Sequence, residues 1–186
     1  MMMDLNEWFE KGITFDEYER ELTDHERNYK KIYENFTVPA DEEFFRQAAG
    51  SNLRAVIIAE PWCGHCMMNM PIFRKVAEKS GIETRIALRD THPDLMDAYE
   101  TDGKRVIPII VLINEDGVEV AKWGPRAHET TEIQNEILRD MPEKGSAEYE
   151  EMFKVKVREL SETFAGNEEL WQSIYQDMKK TIKTAI

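Results

Sequence analysis

The sequence is short of positive charge, of cysteine and of long apolar runs. Its 24 Lys and Arg face 37 Asp and Glu, a formal net charge of −13 in 186 residues. Nucleic acid and anionic membrane surfaces recruit clustered Lys and Arg, so neither is an expected partner. Two cysteines cannot supply a disulfide framework, which needs several pairs in a shorter chain. They also cannot supply an all-cysteine zinc site, which needs four thiolates. The longest apolar runs, residues 55–59 and 106–113, are far shorter than the about 18 residues of a membrane span. No basic start or apolar stretch opens the chain, and Asp4, Glu7 and Glu10 come early. No secretory leader is therefore expected. The expected location is cytoplasmic, where thiols stay reduced.

What is present is apolar material for one core, 41%, beneath a heavily charged surface, 33%. Thr14 and Glu17 form a capping-box pair. Phe15, Tyr18, Leu22, His25, Tyr29, Ile32, Tyr33 and Phe36 then recur at three- and four-residue spacing, which predicts one amphipathic helix. Trp8 and Phe9 precede it and can dock on the core. After Pro39, Asp41 caps a short helix through Phe44, Phe45 and Ala48 that stops at Gly50. Residues 53–59 read as a strand covered on both faces. A helix follows to about Ser80, ended by Gly81. Residues 82–89 read as strand, 94–101 as short helix and 107–113 as strand. Asn114-Glu115-Asp116-Gly117 is a hairpin signal, leading into a strand over 118–123.

Thr131 and Gln134 mark a second capping box, for a helix ending near Met141-Pro142. In the tail, Tyr149, Met152, Phe153, Lys156, Val157, Leu160 and Phe164 make one stripe. Leu170, Trp171, Ile174, Tyr175, Met178 and Ile182 make another, after Gly166 and the cap Asn167. The order predicts an α/β fold, a mixed central sheet with helices on both faces and right-handed crossovers. The expected division is a helical extension over 1–39, a domain over 40–142, and a C-terminal helical extension over 143–186 packed on that domain.

Chemistry concentrates at Trp62-Cys63-Gly64-His65-Cys66, directly after the first strand. Two residues between cysteines in the first turn of a helix let the sulfurs approach bonding distance. Free N–H groups and the positive end of the helix dipole favour a thiolate at Cys63. Such placement lowers a thiol pKa from about 8.5 into roughly 3.5–7.5. Cys66 lies one turn inside and is less ionised. Cys63 then attacks a partner disulfide and Cys66 resolves the mixed disulfide. The competing readings are an inert buried pair or half of a metal site. His25, His65, His92 and His128 are scattered in sequence, and no metal is expected.

The chain resembles the thioredoxin superfamily, and more than the cysteine spacing carries the likeness. Trp62 precedes the nucleophile. Pro71 lies five residues after Cys66, where the family's active-site helix has its proline. Ile107-Pro108 matches the cis-proline dipeptide, Asp116-Gly117 the following hairpin, and Gly124 the glycine after the last strand. These features run in order over about residues 40–140 and imply a thioredoxin-like fold. They also imply that Ile107 and Pro108 contact an extended substrate, with Gly124 beside the groove and Trp123 either flanking it or packing in the core. Gly64-His65 is similar to the dipeptide of protein disulfide isomerases. His65 is therefore expected to tune the pair, toward a potential nearer about −180 mV than about −270 mV.

One departure is plain: Ile57 stands where thioredoxins bury an Asp. Glu60 is the nearest carboxylate in sequence, either a partial substitute acting through water or a loop residue near the site. The ends, with Asn6-Glu7-Trp8-Phe9 and the helices around Trp171, resemble a narrower group of bacterial thioredoxin-like proteins of this length. The implied function is thiol–disulfide exchange with protein substrates, with a thiol reductant or reductase as a further partner. The only redox group is the Cys63–Cys66 disulfide, since no dinucleotide fingerprint is present. Two alternatives stay open, a binding or adaptor module and a redox sensor, both using the helical extensions as partner surface. The oligomeric state is open as well.

Overall fold

The computed structural model describes residues 3–186. In chain order the elements are α1 (Leu5–Lys11), α2 (Phe15–Arg20), α3 (Glu26–Asn35), α4 (Glu42–Gly50), β1 (Arg54–Ala59), α5 (Gly64–Ser80) and β2 (Glu83–Leu88). They continue with α6 (Pro93–Ala98), β3 (Ile109–Ile113), β4 (Glu119–Trp123), α7 (His128–Ile137), α8 (Ala147–Gly166) and α9 (Glu168–Lys183). The four strands form one mixed sheet in the order β2-β1-β3-β4. β1 runs parallel to β2 and antiparallel to β3, and β4 returns antiparallel to β3 through the Asn114–Gly117 turn. The two central strands read as continuous apolar runs because helices cover both of their faces. Every residue of β3 is buried, and every residue of β1 after Arg54.

The first amphipathic stripe forms two helices rather than one. The capping box at Thr14 and Glu17 is present, but the chain turns between Glu21 and His25. Leu22 N–H donates to Glu19 and Glu26 N–H to Thr23. Thr23 and Asp24 sit at the break, and their short polar side chains favour turns over helix interiors. The apolar positions still converge: Tyr18, Tyr29, Ile32 and Phe36 are buried within the chain.

The segment before α2 does more than dock a helix. Ile13 exchanges both backbone hydrogen bonds with Ile86, at 2.9 and 2.8 Å, and so covers the outer edge of β2. Gly12 permits this approach, because a Cβ there would lie 2.7 Å from the Cβ of Arg85.

Three further expectations change. Asp41 precedes α4 but makes no side-chain cap. Its carboxylate instead accepts from the Tyr175 hydroxyl at 2.6 Å and pairs with Lys179 at 2.9 Å, tying α4 to α9. α7 begins after Ala127, which takes the cap position four residues ahead of Thr131. Gln134 is committed elsewhere, as described below. The stripe on α8 is covered only toward its C-terminal end. Phe164 and Ala165 are buried, whereas Met152, Phe153 and Val157 stay 38–40% exposed. α9 by contrast buries all six of its predicted apolar positions.

Candidate active site

The sheet register brings four separated segments to one end. Ala59 closes β1 beside Leu88, so Glu60–Cys63 and Arg89 are neighbours. Ile58 pairs with Ile109, which places Ile107-Pro108 against the same end, and Ile110 pairs with Trp123, which adds Gly124–Arg126. The Ile107–Pro108 and Gly124–Pro125 bonds are cis. Gly124 has φ +122°, and a Cβ there would collide with the Pro108 carbonyl oxygen. Only glycine lets the two loops touch.

Cys63 is the N-cap of α5. Its Sγ accepts from the Cys66 N–H at 3.2 Å and, as a thiol, donates to the Ile107 carbonyl at 3.8 Å. Both sulfurs are unbonded thiols. Cys63 keeps 7% of its surface and Cys66 none, so an incoming group reaches only Cys63. A hydrogen bond from the Cys66 thiol lowers the Cys63 pKa. Burial opposes this, while the N–H groups of Cys66 and His65 and the charge of Arg89 add to it. Burial pushes the Cys66 thiol well up, and its hydrogen bond to Cys63 and the charge there push the same way. Proximity therefore splits two chemically identical groups into one acidic and one resistant thiol.

Glu60 is 6% exposed, and its pKa is raised by burial against the opposing hydrogen bond from the Asp90 N–H, at 2.9 Å. Its carbonyl accepts from the Cys63 N–H at 3.1 Å and from the Tyr18 hydroxyl at 3.0 Å. Ile57 is fully buried. Trp62 is 53% exposed, with the Arg89 guanidinium 4.7 Å above its ring.

His65 does not act as a charged neighbour of Cys63. Its Nε2 lies 2.6 Å from Gln134 Oε1, and Arg126 donates to the same oxygen at 3.1 Å. Arg126 has only donors, so Gln134 presents its oxygen and His65 Nε2 carries the hydrogen. Burial and the Arg126 charge lower the His65 pKa to about 4. At neutral pH the imidazole is therefore uncharged, and what His65 contributes to Cys63 is its backbone N–H.

Trp123 is also corrected. It is buried, and its indole N–H donates to Asp177 on α9 at 2.7 Å, so it anchors the C-terminal helix and does not line a groove. Arg105 pairs with Asp97, and Met67, Met68 and Met70 are all core.

Two residues of the site carry no chemical signal in the sequence. Tyr18 reads as one member of an apolar stripe, yet its hydroxyl supports the loop before the nucleophile. His25 reads as isolated, yet its Nε2 lies 3.1 Å from the Trp62 carbonyl oxygen. Both come from the N-terminal helices. A cavity of 590 Å³ lies between α4 and α9 around Asp41 and Lys179, away from the cysteines. Among the described residues no group of three or more His, Cys, Asp and Glu is placed to hold a metal ion, and no helix is long and apolar enough to cross a membrane.

Against known proteins, a family model described as thioredoxin matches residues 12–141. No curated protein matches the chain. Two solved structures resemble it. One is the crystal structure of an HIV epitope-scaffold, at 15% identity and TM-score 0.66, covering 99% of this chain and 100% of that one. The other is a protein of unknown function from Pseudomonas aeruginosa, at 15% identity and TM-score 0.61, covering 94% of this chain and 99% of that one. At this identity they speak to the fold alone, which is α/β and thioredoxin-like with helical extensions. Both likenesses run beyond residues 12–141, through most or all of the chain.

Proposed function

The chain belongs to the thioredoxin family, and from that membership and its cysteine geometry we propose that it is a thiol–disulfide oxidoreductase acting on protein substrates. The Cys63 thiolate attacks one sulfur of a substrate disulfide, forming a mixed disulfide and releasing the other substrate sulfur as a thiolate. Cys66 loses its proton to that leaving thiolate or to water and attacks Cys63. The second substrate thiol departs and the Cys63–Cys66 disulfide remains. Two electrons have passed to the substrate, and a dithiol reductant returns them. Run backward, the same steps oxidise a substrate dithiol.

The observation that carries this reading is the asymmetry at the start of α5. Cys63 keeps a small accessible surface, its Sγ receives the Cys66 N–H at 3.2 Å and it has a lowered pKa, while Cys66 is wholly buried with a raised one. Ile107, Pro108 and Gly124 form the floor on which an extended substrate would lie, with the Ile107 carbonyl 3.8 Å from the nucleophile. Among the described residues Glu60 forms no salt bridge, and burial raises its pKa against the Asp90 N–H and the charge of Arg89, which suits a further proton acceptor for Cys66 better than a fixed anion would. Neutral His65 leaves the thiolate to the Cys66 thiol, the N–H donors and Arg89, which weakens the basis for an oxidising potential drawn from its charge.

Reduction of insulin by dithiothreitol tests the proposal. The wild type is expected to accelerate it and Cys63→Ser to return it to the uncatalysed rate. Equal rates would leave a binding module on a thioredoxin scaffold.

A further inference from the structure

Half of the exposed large apolar side chains among the described residues sit on one helix. Met152, Phe153, Val155 and Val157 of α8 are 39, 40, 63 and 38% exposed. Scattered apolar residues need no explanation, but a cluster marks a contact surface. Of these four, Phe153 and Val157, four residues apart and so on one face, line a cavity of 260 Å³ together with Gly64, His65, Leu138 and Phe164. Its far wall is α8, outside residues 12–141. Its near wall is the dipeptide between the two cysteines.

We propose that this cavity is a specificity pocket for an apolar side chain, aromatic or long aliphatic, one or two residues from the cysteine that a substrate presents to Cys63. The inference rests on the oxidoreductase reading and deepens it. Three observations fix the occupant. The pocket shares its wall with the active-site turn: Gly64 follows Cys63 directly, about 3.8 Å away between Cα atoms, and an extended chain advances only about 3.3 Å per residue. A substrate joined to Cys63 therefore carries its neighbouring side chains within reach of this cavity. The volume is below the about 300–1,000 Å³ of pockets that hold small molecules and cofactors, and it suits one large side chain. The lining is apolar apart from His65, Gln134 and Ser161, and His65 is uncharged at neutral pH. A charged side chain would lose its hydration there without a partner.

The test uses two peptides, each closed by one disulfide, that differ only in Phe or Gly beside the cysteine. The ratio of their kcat/KM values is measured for the wild type, Val157→Glu and Phe153→Ser. Both positions are more than a third exposed, so the fold tolerates change there. The expected ratio is about ten in the wild type and near one in both variants, while Val157→Leu retains it. A wild-type ratio near one, or a ratio that Val157→Glu leaves intact, overturns the pocket. Sedimentation at assay concentration distinguishes the other occupant: a monomer supports the proposal, and a dimer that Val157→Glu dissociates overturns it. Should Cys63→Ser match the wild type on both peptides, the exchange chemistry fails while the pocket is still read by titrating Ser-for-Cys versions of the peptides. Binding of the Phe peptide alone, lost in Val157→Glu, upholds it; equal binding of both overturns it.

Discussion

Cys63 and Cys66 are three residues apart on one helical turn and differ only in what surrounds them. At Cys63 the turn is open on one side, and free N–H groups and Arg89 face the sulfur. At Cys66 the core closes over the sulfur, and the negative charge its neighbour develops, with that of Glu60, holds the proton on. The difference teaches that an N-terminal helical turn can act as a charge separator: the same side chain is made acidic at the rim and resistant one turn in. A thiolate at the rim and a protonated thiol beneath it also exchange a hydrogen bond, so each state of one depends on the state of the other.

The largest way to break the comparison is to remove one member. Cys66→Ser is expected to retain attack and lose resolution, so substrates stay bound to Cys63 as mixed disulfides on non-reducing gels, sensitive to dithiothreitol. Cys63→Ser is expected to trap nothing. If Cys66 captured substrate in that variant, the inner thiol would be no less nucleophilic than the one at the rim and the comparison would fail.

The next effect concerns the environment shared by the pair. His65 is held neutral in the fold, with a pKa of about 4, against about 6.5 in an unfolded chain. As pH falls from about 6.5 toward 4 the unfolded state takes up the proton first. Stability present at neutral pH is then lost, by about 2–3 kcal/mol. Subtracting the pH–stability curve of His65→Gln, from urea denaturation, should isolate this loss. A flat difference curve would mean that the imidazole is charged or solvated in the native protein.

The smallest concerns the support beneath the loop. Tyr18→Phe removes the hydroxyl that donates to the Glu60 carbonyl. It should lower the urea midpoint by the equivalent of about 0.5–1.5 kcal/mol with an unchanged m-value. No change would show that the N-terminal helices leave the loop to itself.

The order of elements along the chain and the placing of the cysteine pair at a strand-to-helix junction were legible because they rest on local signals. These are apolar runs, a proline, a glycine and two cysteines at fixed spacing. What was not legible depended on distant partners. The stripes of α8 and α9 look alike in sequence. α9 is buried whole, while α8, about 30 Å long at 20 residues, is covered only over its last turns. Periodicity reports that a face is apolar, not that anything covers it. Gln134 had the spacing of a cap but bonds His65 and Arg126 across the fold. Trp123 had the address of a groove residue, yet Asp177, 54 positions away, draws its indole to α9. Tyr18 was visible only as an apolar position because its hydroxyl finds its acceptor 42 residues on.

The separation of the two thiols is measured most directly by iodoacetamide alkylation of the reduced protein across pH, with each cysteine quantified by mass spectrometry. The expected result is a Cys63 rate that reaches half its maximum below about 8.5, the value of an ordinary thiol, with Cys66 unmodified at every pH where the fold persists. Cys63 titrating like free glutathione, or both sulfurs reacting together, would contradict the account.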